Sequence, residues 1–182
     1  MTPSQTLQGK NAKNWLNDMQ EVGEDVDLIF SFVHGPLFDV AKEAVERMKK
    51  QFSKDEPNVK KWPCQSTGIG VIVNRKTPFH RDKGGNSAMY DFLVAAGTYK
   101  SCFLELPDVD GFLEYNPGTV VAICGKVLKH GVTHWEGGER ICYPFYCRDN
   151  VFHRLQLRRT DWPHLSRYQD MFSAGYVSRM YK

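Results

Sequence analysis

Apolar residues follow two different periods along this chain. Between about residues 36 and 52 they recur at three- and four-residue steps, which is the period of a helix with one buried face. Pro36 stands at the start of that segment, where proline suits the first turn of a helix. We therefore expect a mostly helical first part, about residues 1–65, that covers a sheet. The apolar positions of the predicted helix are Leu37, Phe38, Ala41, Val45, Met48 and Phe52.

The pattern changes to strands further along the chain. A short alternating run at residues 26–32 already predicts one strand. From about residue 66 to 160, short segments rich in Val, Ile, Phe, Tyr and Cys are separated by Gly, Pro and Asn, with a strong turn at Asn116-Pro117-Gly118. Strands at this spacing predict an antiparallel sandwich or jelly roll, and hence an α+β fold. A further helix is expected within residues 163–181. The predicted strands are GIGVIVNR, MYDFLVAAG, SCFLELP, GFLEY, TVVAIC and RICYPFYC.

Length and composition indicate one globular domain that spans residues 1–182, since 41% of the residues are hydrophobic. The chain has no apolar run of about 18 residues, and its start lacks the apolar segment of a signal peptide, so we expect an intracellular protein without a membrane span. The five cysteines include no CxxC pair, which favours buried free thiols. A net charge of +3 does not by itself establish a nucleic-acid partner.

A candidate metal site begins at His80-Arg81-Asp82, between two predicted strands. His130 follows, after the segment TVVAIC. Two histidines and one carboxylate form a facial triad, which suits ferrous iron because it leaves coordination positions open for a keto acid and dioxygen. His134 is an alternative to His130, and we prefer His130 because His134 lies in a loop-like segment closer to the next cationic residue.

That cationic residue is Arg140, ten positions after His130. A chain that turns at Gly137-Gly138 and returns on the neighbouring strand brings this guanidinium near the metal, where it can bind a carboxylate with two hydrogen bonds. Arg75, on the strand before His80, is a second cation directed at the same region. The alternative for both arginines is a solvent-exposed position.

The segments NRKTPFHRDKGGNSAMYDFLVAAGTYKSCFLELP, GTVVAICGKVLKHGV and GGERICYPFYCRD resemble the TET/JBP family of DNA dioxygenases, and especially the short fungal TET-like enzymes. The resemblance implies a double-stranded β-helix with N-terminal covering helices. It also implies Fe(II) held by His80, Asp82 and His130, and 2-oxoglutarate held by Arg140 and Arg75. Its implied substrate is a methylated base in duplex DNA, and a nuclear, monomeric enzyme is the corresponding expectation.

The resemblance also implies where the base is held. Tyr146 and Arg148 alternate onto one face of the last strand, where the family places groups that contact the base. Relatives that prefer 5-methylcytosine carry an acidic residue three positions after the motif aspartate, and this chain has Gly85 there. Asn86 and Asp91 are the nearest polar substitutes. Oxidation of 5-methylcytosine to hydroxymethyl and further oxidised forms is therefore expected, and demethylation of 6-methyladenine is plausible.

Two other functions are compatible with the same residues. One is a 2-oxoglutarate oxygenase that acts on proteins or small molecules and keeps the metal triad. The other is a jelly-roll binding module without metal, in which His80 and Asp82 are ordinary surface residues. Loss of metal-dependent succinate production on substitution of His80 separates the second alternative from both enzymes.

Overall fold

A computed structural model of the protein describes residues 4–158, 160–164 and 166. In this part of the chain, three α-helices precede two antiparallel sheets, and a fourth α-helix follows them. The helices are α1 (Ala12–Asp18), α2 (Gln20–Val33), α3 (Gly35–Phe52) and α4 (Asp149–Arg154). The strands are β1 (Gly68–Ile69), β2 (Ile72–Val73), β3 (Thr77–His80), β4 (Asp91–Gly97), β5 (Phe103–Leu106), β6 (Gly111–Glu114), β7 (Val120–Ile123), β8 (His130–Val132) and β9 (Arg140–Tyr146).

Helix α3 has the amphipathic form predicted from its apolar spacing. Pro36 lies in its first turn, and the His34 side chain accepts a hydrogen bond from the backbone N–H of Leu37. Lys49 and Lys50 lie in the last turn, where positive charge is favoured by the helix dipole. The buried side of the helix is formed by Leu37, Val40, Ala41, Ala44, Val45 and Phe52.

The strand predicted at residues 26–32 is wrong, because this segment belongs to α2. Its alternating pattern coincides with a helical one in which Val26 and Phe30, four residues apart, are both buried. Leu28, which a half-buried strand would bury together with them, is 54% exposed. Packing of α2 on α3 and on the sheet, through Phe30 and Phe92, decided between the two patterns.

The two sheets form the double-stranded β-helix that the resemblance implies. The larger sheet has the order β1-β9-β4-β7, with β2 also paired to β9, and the smaller has the order β3-β8-β5-β6. The turn predicted at Asn116-Pro117-Gly118 connects β6 to β7, and Gly118 there has a φ of +91° that glycine adopts without strain. The predicted pairing of β9, which carries Arg140, with β8 is wrong. Strand β9 lies in the larger sheet and β8 lies in the smaller one, and both strands line the space between the sheets.

Side chains alternate between two cores along the central strands of the larger sheet. On β4, Phe92 packs against the N-terminal helices, whereas Leu93 and Ala95 face the smaller sheet. On β9, Phe145 faces the helices and Cys142 faces the smaller sheet. Residues with even numbers on β9 therefore point into the space where the site is found.

The remaining expectations concern the cysteines, a membrane span and a helix near the C-terminus. The five cysteines are all free and buried, as predicted. No helix in the described part of the chain is long and apolar enough to cross a membrane. Helix α4 was not predicted. The helix expected within residues 163–181 falls almost entirely outside the described residues.

Candidate active site

The two histidines of the predicted triad are brought together by strand pairing. His80 ends β3 and His130 begins β8, and the two residues lie directly opposite each other in this antiparallel pair. Cross-strand partners have closely spaced side chains, and the two imidazole ring centres are 4.4 Å apart. His130 is buried, whereas the His80 side chain is 41% exposed.

Asp82 completes a cluster whose possible metal-binding atoms all lie within 4.8 Å of one another. Its carboxylate oxygens are 3.5 Å from His80 Nε2 and 3.8 Å from His130 Nε2. The backbone N–H of Asp82 donates to the carbonyl of Gly125 at 2.8 Å, which ties the loop after β3 to the loop after β7. One concave face therefore presents two imidazoles and one carboxylate.

The hydrogen bonds of the two histidines direct the same ring atom at this face. Nδ1 of His80 is 2.9 Å from the carbonyl of Pro78, and Nδ1 of His130 is 3.0 Å from the carbonyl of Leu128. Because a carbonyl can only accept, Nδ1 carries the proton in each neutral ring and Nε2 keeps its lone pair. Backbone carbonyls that orient ligating histidines in this way are typical of metal sites.

Arg140 is a buried cation with a vacant donor. The residue is 1% exposed, and one of its terminal nitrogens donates to the Arg75 carbonyl at 3.1 Å. The rings of Tyr115 and Trp135 lie 5.8 and 5.6 Å from its guanidinium carbon. Among the residues described, no carboxylate forms an ion pair with Arg140, and its buried Nε has no hydrogen-bond partner. A buried charge left in this condition fits an anionic ligand.

The triad and Arg140 line one cavity of about 350 Å³ between the sheets. Arg75 also lines it, and its backbone carbonyl accepts a hydrogen bond from Arg140, whereas the residue as a whole is exposed. Leu93, Leu104 and Val132 form an apolar part of the cavity wall. The arrangement combines a metal-binding face, a buried cation that can bind an anion, and a partly apolar wall.

Tyr146, the last residue of β9, and Arg148, which lies beyond the end of the strand and directly before α4, both line the same cavity. The Arg148 guanidinium carbon lies 4.2 Å from the centre of the Tyr146 ring, so the two side chains form a stacked pair. Gly68 and Gly84 make room for this pair, because a Cβ at either position would lie about 2 Å from it. Gly85 also lines the cavity and has open space around it.

Asp91 lies at the start of β4 and faces the cavity from the larger sheet. It is buried and hydrogen-bonded to Asp82, and burial followed by the charge of Asp82 raises the pKa of Asp91. Asp91 therefore supports the triad carboxylate as well as facing the space expected for a base.

Two other residues that the sequence suggested for the site, Asn86 and His134, lie outside the cavity and the metal-binding cluster. Asn86 is not among the residues that line the cavity. Its amide donates to Asp149 at 3.0 Å and accepts from the Ala88 N–H at 2.9 Å, so it fastens the loop to α4. His134 is exposed on the connection between β8 and β9, and within the described residues it is not part of the metal-binding cluster.

An ion pair behind the triad was missed by sequence analysis. Arg81, between the two ligand candidates of the HxD motif, donates from one nitrogen to both oxygens of Asp108 at 2.8 and 2.9 Å. Its Nε donates to the Val127 carbonyl, and Asp108 accepts from the N–H of Lys129, the residue before His130. This Arg81–Asp108 clamp therefore joins both ligand-bearing segments. Nothing in the sequence pairs residues 81 and 108.

Comparisons with known proteins bear on the family and the fold of the chain. A family profile, Tet_JBP, described as the oxygenase domain of the 2OGFeDO superfamily, matches residues 2–149 and so includes the N-terminal helices. The fold is similar to the structure of NgTET1 in complex with 5mC DNA, with a TM-score of 0.64, 14% identity and 82% of this chain covered. The match spans 56% of the NgTET1 chain. No curated protein sequence matches significantly. The chain therefore belongs to the TET/JBP family, and the matched region is the oxygenase domain of a superfamily that uses Fe(II) and 2-oxoglutarate, cofactors that the cluster of His80, Asp82 and His130 fits.

Proposed function

We propose that this protein oxidises methyl groups on DNA bases in duplex DNA, with iron bound by His80, Asp82 and His130. The observation that carries the proposal is the single cavity that joins this triad to the buried, uncompensated Arg140 and to the Tyr146–Arg148 pair. Bound iron, 2-oxoglutarate and dioxygen supply the oxidation of a C–H bond, with release of succinate and carbon dioxide.

The residues of the cavity divide the remaining tasks. His80 and His130 offer Nε2 to the metal, and the carbonyls of Pro78 and Leu128 hold both rings in that orientation. Arg140 binds one carboxylate of 2-oxoglutarate through the Nε that is otherwise unpaired, and Arg75 binds the other end. The apolar walls exclude water, which strengthens these charge-assisted contacts.

The proposed substrate is supported by the outer part of the cavity. Tyr146 offers an aromatic face on which a flipped base can stack, and Arg148 offers N–H donors to its edge. Extrusion of a base from the duplex costs roughly a few kcal/mol, which these contacts help to offset. NgTET1, which shares the fold, was crystallised with 5mC DNA. Gly85 leaves room beside the base, so both 5-methylcytosine and 6-methyladenine are proposed substrates. A monomeric, nuclear enzyme is part of the proposal.

The proposal is tested by base analysis after reaction with DNA. Duplexes that carry 5-methylcytosine or 6-methyladenine are incubated with protein, Fe(II) and 2-oxoglutarate, and the bases are measured by mass spectrometry. We expect hydroxymethylcytosine and further oxidised cytosines, or loss of the adenine methyl group with release of formaldehyde. Succinate release without change in either base would instead indicate an oxygenase for proteins or small molecules. No metal-dependent succinate at all would indicate a binding module.

Asp91 is the residue through which base preference is tested. Asp91→Ala removes the side-chain oxygen that can accept from a base amino group, together with the hydrogen bond to Asp82. We expect unequal losses of activity on the two methylated duplexes. Because Asp91 contacts Asp82, Fe(II) affinity of the variant is measured in parallel. Equal losses on both duplexes would show that Asp91 serves the metal site only.

A further inference from the structure

A second and larger cleft, of about 930 Å³, lies beside the candidate active site. The chain's first described segment, helices α1 and α3 and strand β1 form its walls. It shares Tyr146 and Arg148 with the cavity that contains the triad. The stacked Tyr146–Arg148 pair is therefore a partition, with one side toward the triad and the other toward this N-terminal cleft.

The charge of the N-terminal cleft has one sign. Lys10, Lys49 and Arg148 line it, and no Asp or Glu is among its lining residues in the described chain. Asp27, which interacts electrostatically with Lys49, lies outside the lining. A concave surface with cations only attracts a polyanion and concentrates it locally.

The same cleft contains aromatic rings. Trp15 and Trp62 line it and are half-buried. The indole N–H of Trp62 donates to the Ser66 carbonyl at 2.8 Å, which fixes the orientation of the ring. Fixed aromatic side chains next to cations are the combination that binds unpaired nucleotides, because bases stack on the rings while phosphates contact the cations.

We propose that the N-terminal cleft holds nucleotides of the DNA strand next to the target base, and this inference rests on the proposed function. A base that enters the triad cavity past Tyr146 and Arg148 leaves its neighbours on the other side of that pair, where the cleft lies. Flanking nucleotides in the cleft keep the strand in place while the target base is extruded. The surface is thus the strand-binding part of the substrate site.

The first test reverses one charge and uses a matched control. Lys10 lines the cleft, whereas the nearby Lys13 on α1 is also exposed but does not line it. Lys10→Glu and Lys13→Glu give proteins of the same net charge, so general attraction to DNA is equal. Affinity for a fluorescent methylated duplex is measured by anisotropy over a range of salt concentrations, with Fe(II) and 2-oxoglutarate binding measured separately.

We expect Lys10→Glu to weaken DNA binding roughly fivefold and to reduce the slope of log affinity against log salt by about one, as loss of one phosphate contact does. Lys13→Glu should remain within about twofold of the unmodified protein. Equal behaviour of the two variants, on a duplex that the unmodified protein binds, would overturn the inference and leave the proposed function intact. Failure of the unmodified protein to bind or oxidise the duplex would instead overturn the proposed function.

The second test locates the strand directly. A duplex with 5-iododeoxyuridine beside the methylated base is bound by the unmodified protein and irradiated, and the cross-linked peptide is identified by mass spectrometry. Cross-links to Trp15 or Trp62 would support the inference. Cross-links to Phe103 or Phe112, an exposed aromatic pair on the smaller sheet, would place the strand on another face and overturn it.

Discussion

Gly125 is the residue that allows two carboxylates to approach one stretch of backbone. A Cβ at this position would lie 2.2 Å from an oxygen of Asp82 and 2.7 Å from an oxygen of Asp91. The Gly125 carbonyl also accepts the N–H of Asp82. A glycine at this point of the loop is therefore required for the geometry of the third metal ligand.

We predict that Gly125→Ala weakens Fe(II) binding by about 10- to 100-fold, in the range seen when groups that support metal ligands are altered. The added methyl group displaces Asp82 or the backbone that holds it. Gly85→Ala is the control, because a Cβ there meets no atom within 4 Å. Anaerobic titration with Fe(II) measures both variants, and equal affinities would contradict the assigned role of Gly125.

Arg140 is the residue on which 2-oxoglutarate binding is expected to depend. Arg140→Lys keeps the charge and removes both Nε and the planar fork. Loss of one charge-assisted hydrogen bond costs about 1.5–3 kcal/mol, so the KM for 2-oxoglutarate should rise by about 10- to 100-fold. Steady-state succinate production measures the KM, and Fe(II) affinity should stay unchanged. An unchanged KM would place the co-substrate elsewhere.

At the level of elements, the Arg81–Asp108 clamp joins the end of β3 to the segment that leads into β8. Both ligand-bearing segments contact it through backbone or adjacent residues, and it lies outside the cavity. Because Arg81 is about half exposed, the ion pair contributes little to global stability, typically about 0–1 kcal/mol. Its expected role is to hold the strand ends that position the histidines.

We predict that Arg81→Gln and Asp108→Asn each weaken Fe(II) binding several-fold with little change in Tm. The double variant should bind Fe(II) as tightly as the single variant that has the lower affinity. The two residues act on the same pair of segments, so their effects should not add. Arg47→Gln is the control, because Arg47 forms a similar exposed pair with Glu43 on α3, away from the cavity. Additive losses would show that the two residues act separately.

Helix α2 is attached to the loop before β1 through Asp27, which accepts the N–H of Gln65 at 2.8 Å. Burial raises the pKa of Asp27 to about 6. The folded carboxyl therefore binds more protons than the unfolded one between about pH 4 and pH 6, and the free energy of unfolding rises as pH falls through this range.

We predict that Asp27→Asn removes this part of the pH dependence and raises the free energy of unfolding at pH 7 by on the order of 1 kcal/mol, allowing for the partial exposure of the group. The amide keeps an oxygen for the Gln65 N–H and carries no charge to bury. Urea unfolding of both proteins at acidic and neutral pH gives the comparison. A variant less stable than the unmodified protein at neutral pH would show that the charged hydrogen bond outweighs the cost of burial.

At the scale of the whole molecule, the two sheets enclose the site and the N-terminal helices cover the outer face of the larger sheet. The chain predicts helix α3 and most of the strand segments, but not β3 and β8, which carry the two histidines. It also predicts a triad and Arg140, which the fold gathers into one cavity. Local signals suffice there because the HxD motif, His130 and Arg140 lie at strand ends, and alternation on β9 fixes which residues face inward.

Features that depend on contacts between distant segments were not predictable. The alternating run in α2 became helical because of its packing on α3, and β9 joined the opposite sheet from β8. The two-sided Tyr146–Arg148 partition, the N-terminal cleft and the Arg81–Asp108 clamp all require partners far apart in the chain. Asn86 appeared to be a base contact from its position, and the start of α4 holds its amide instead.

The coupling of succinate formation to base oxidation tests the central claim most directly. Succinate and oxidised bases are counted in the same reactions, with methylated duplex, unmethylated duplex or no DNA, and with Asp82→Ala as the metal-site control. We predict that methylated duplex stimulates succinate formation, that each succinate is matched by one oxidation of a base, and that Asp82→Ala forms neither product. Succinate that forms at the same rate with every duplex, without any oxidised base, would contradict the assignment of this cavity to DNA methyl groups.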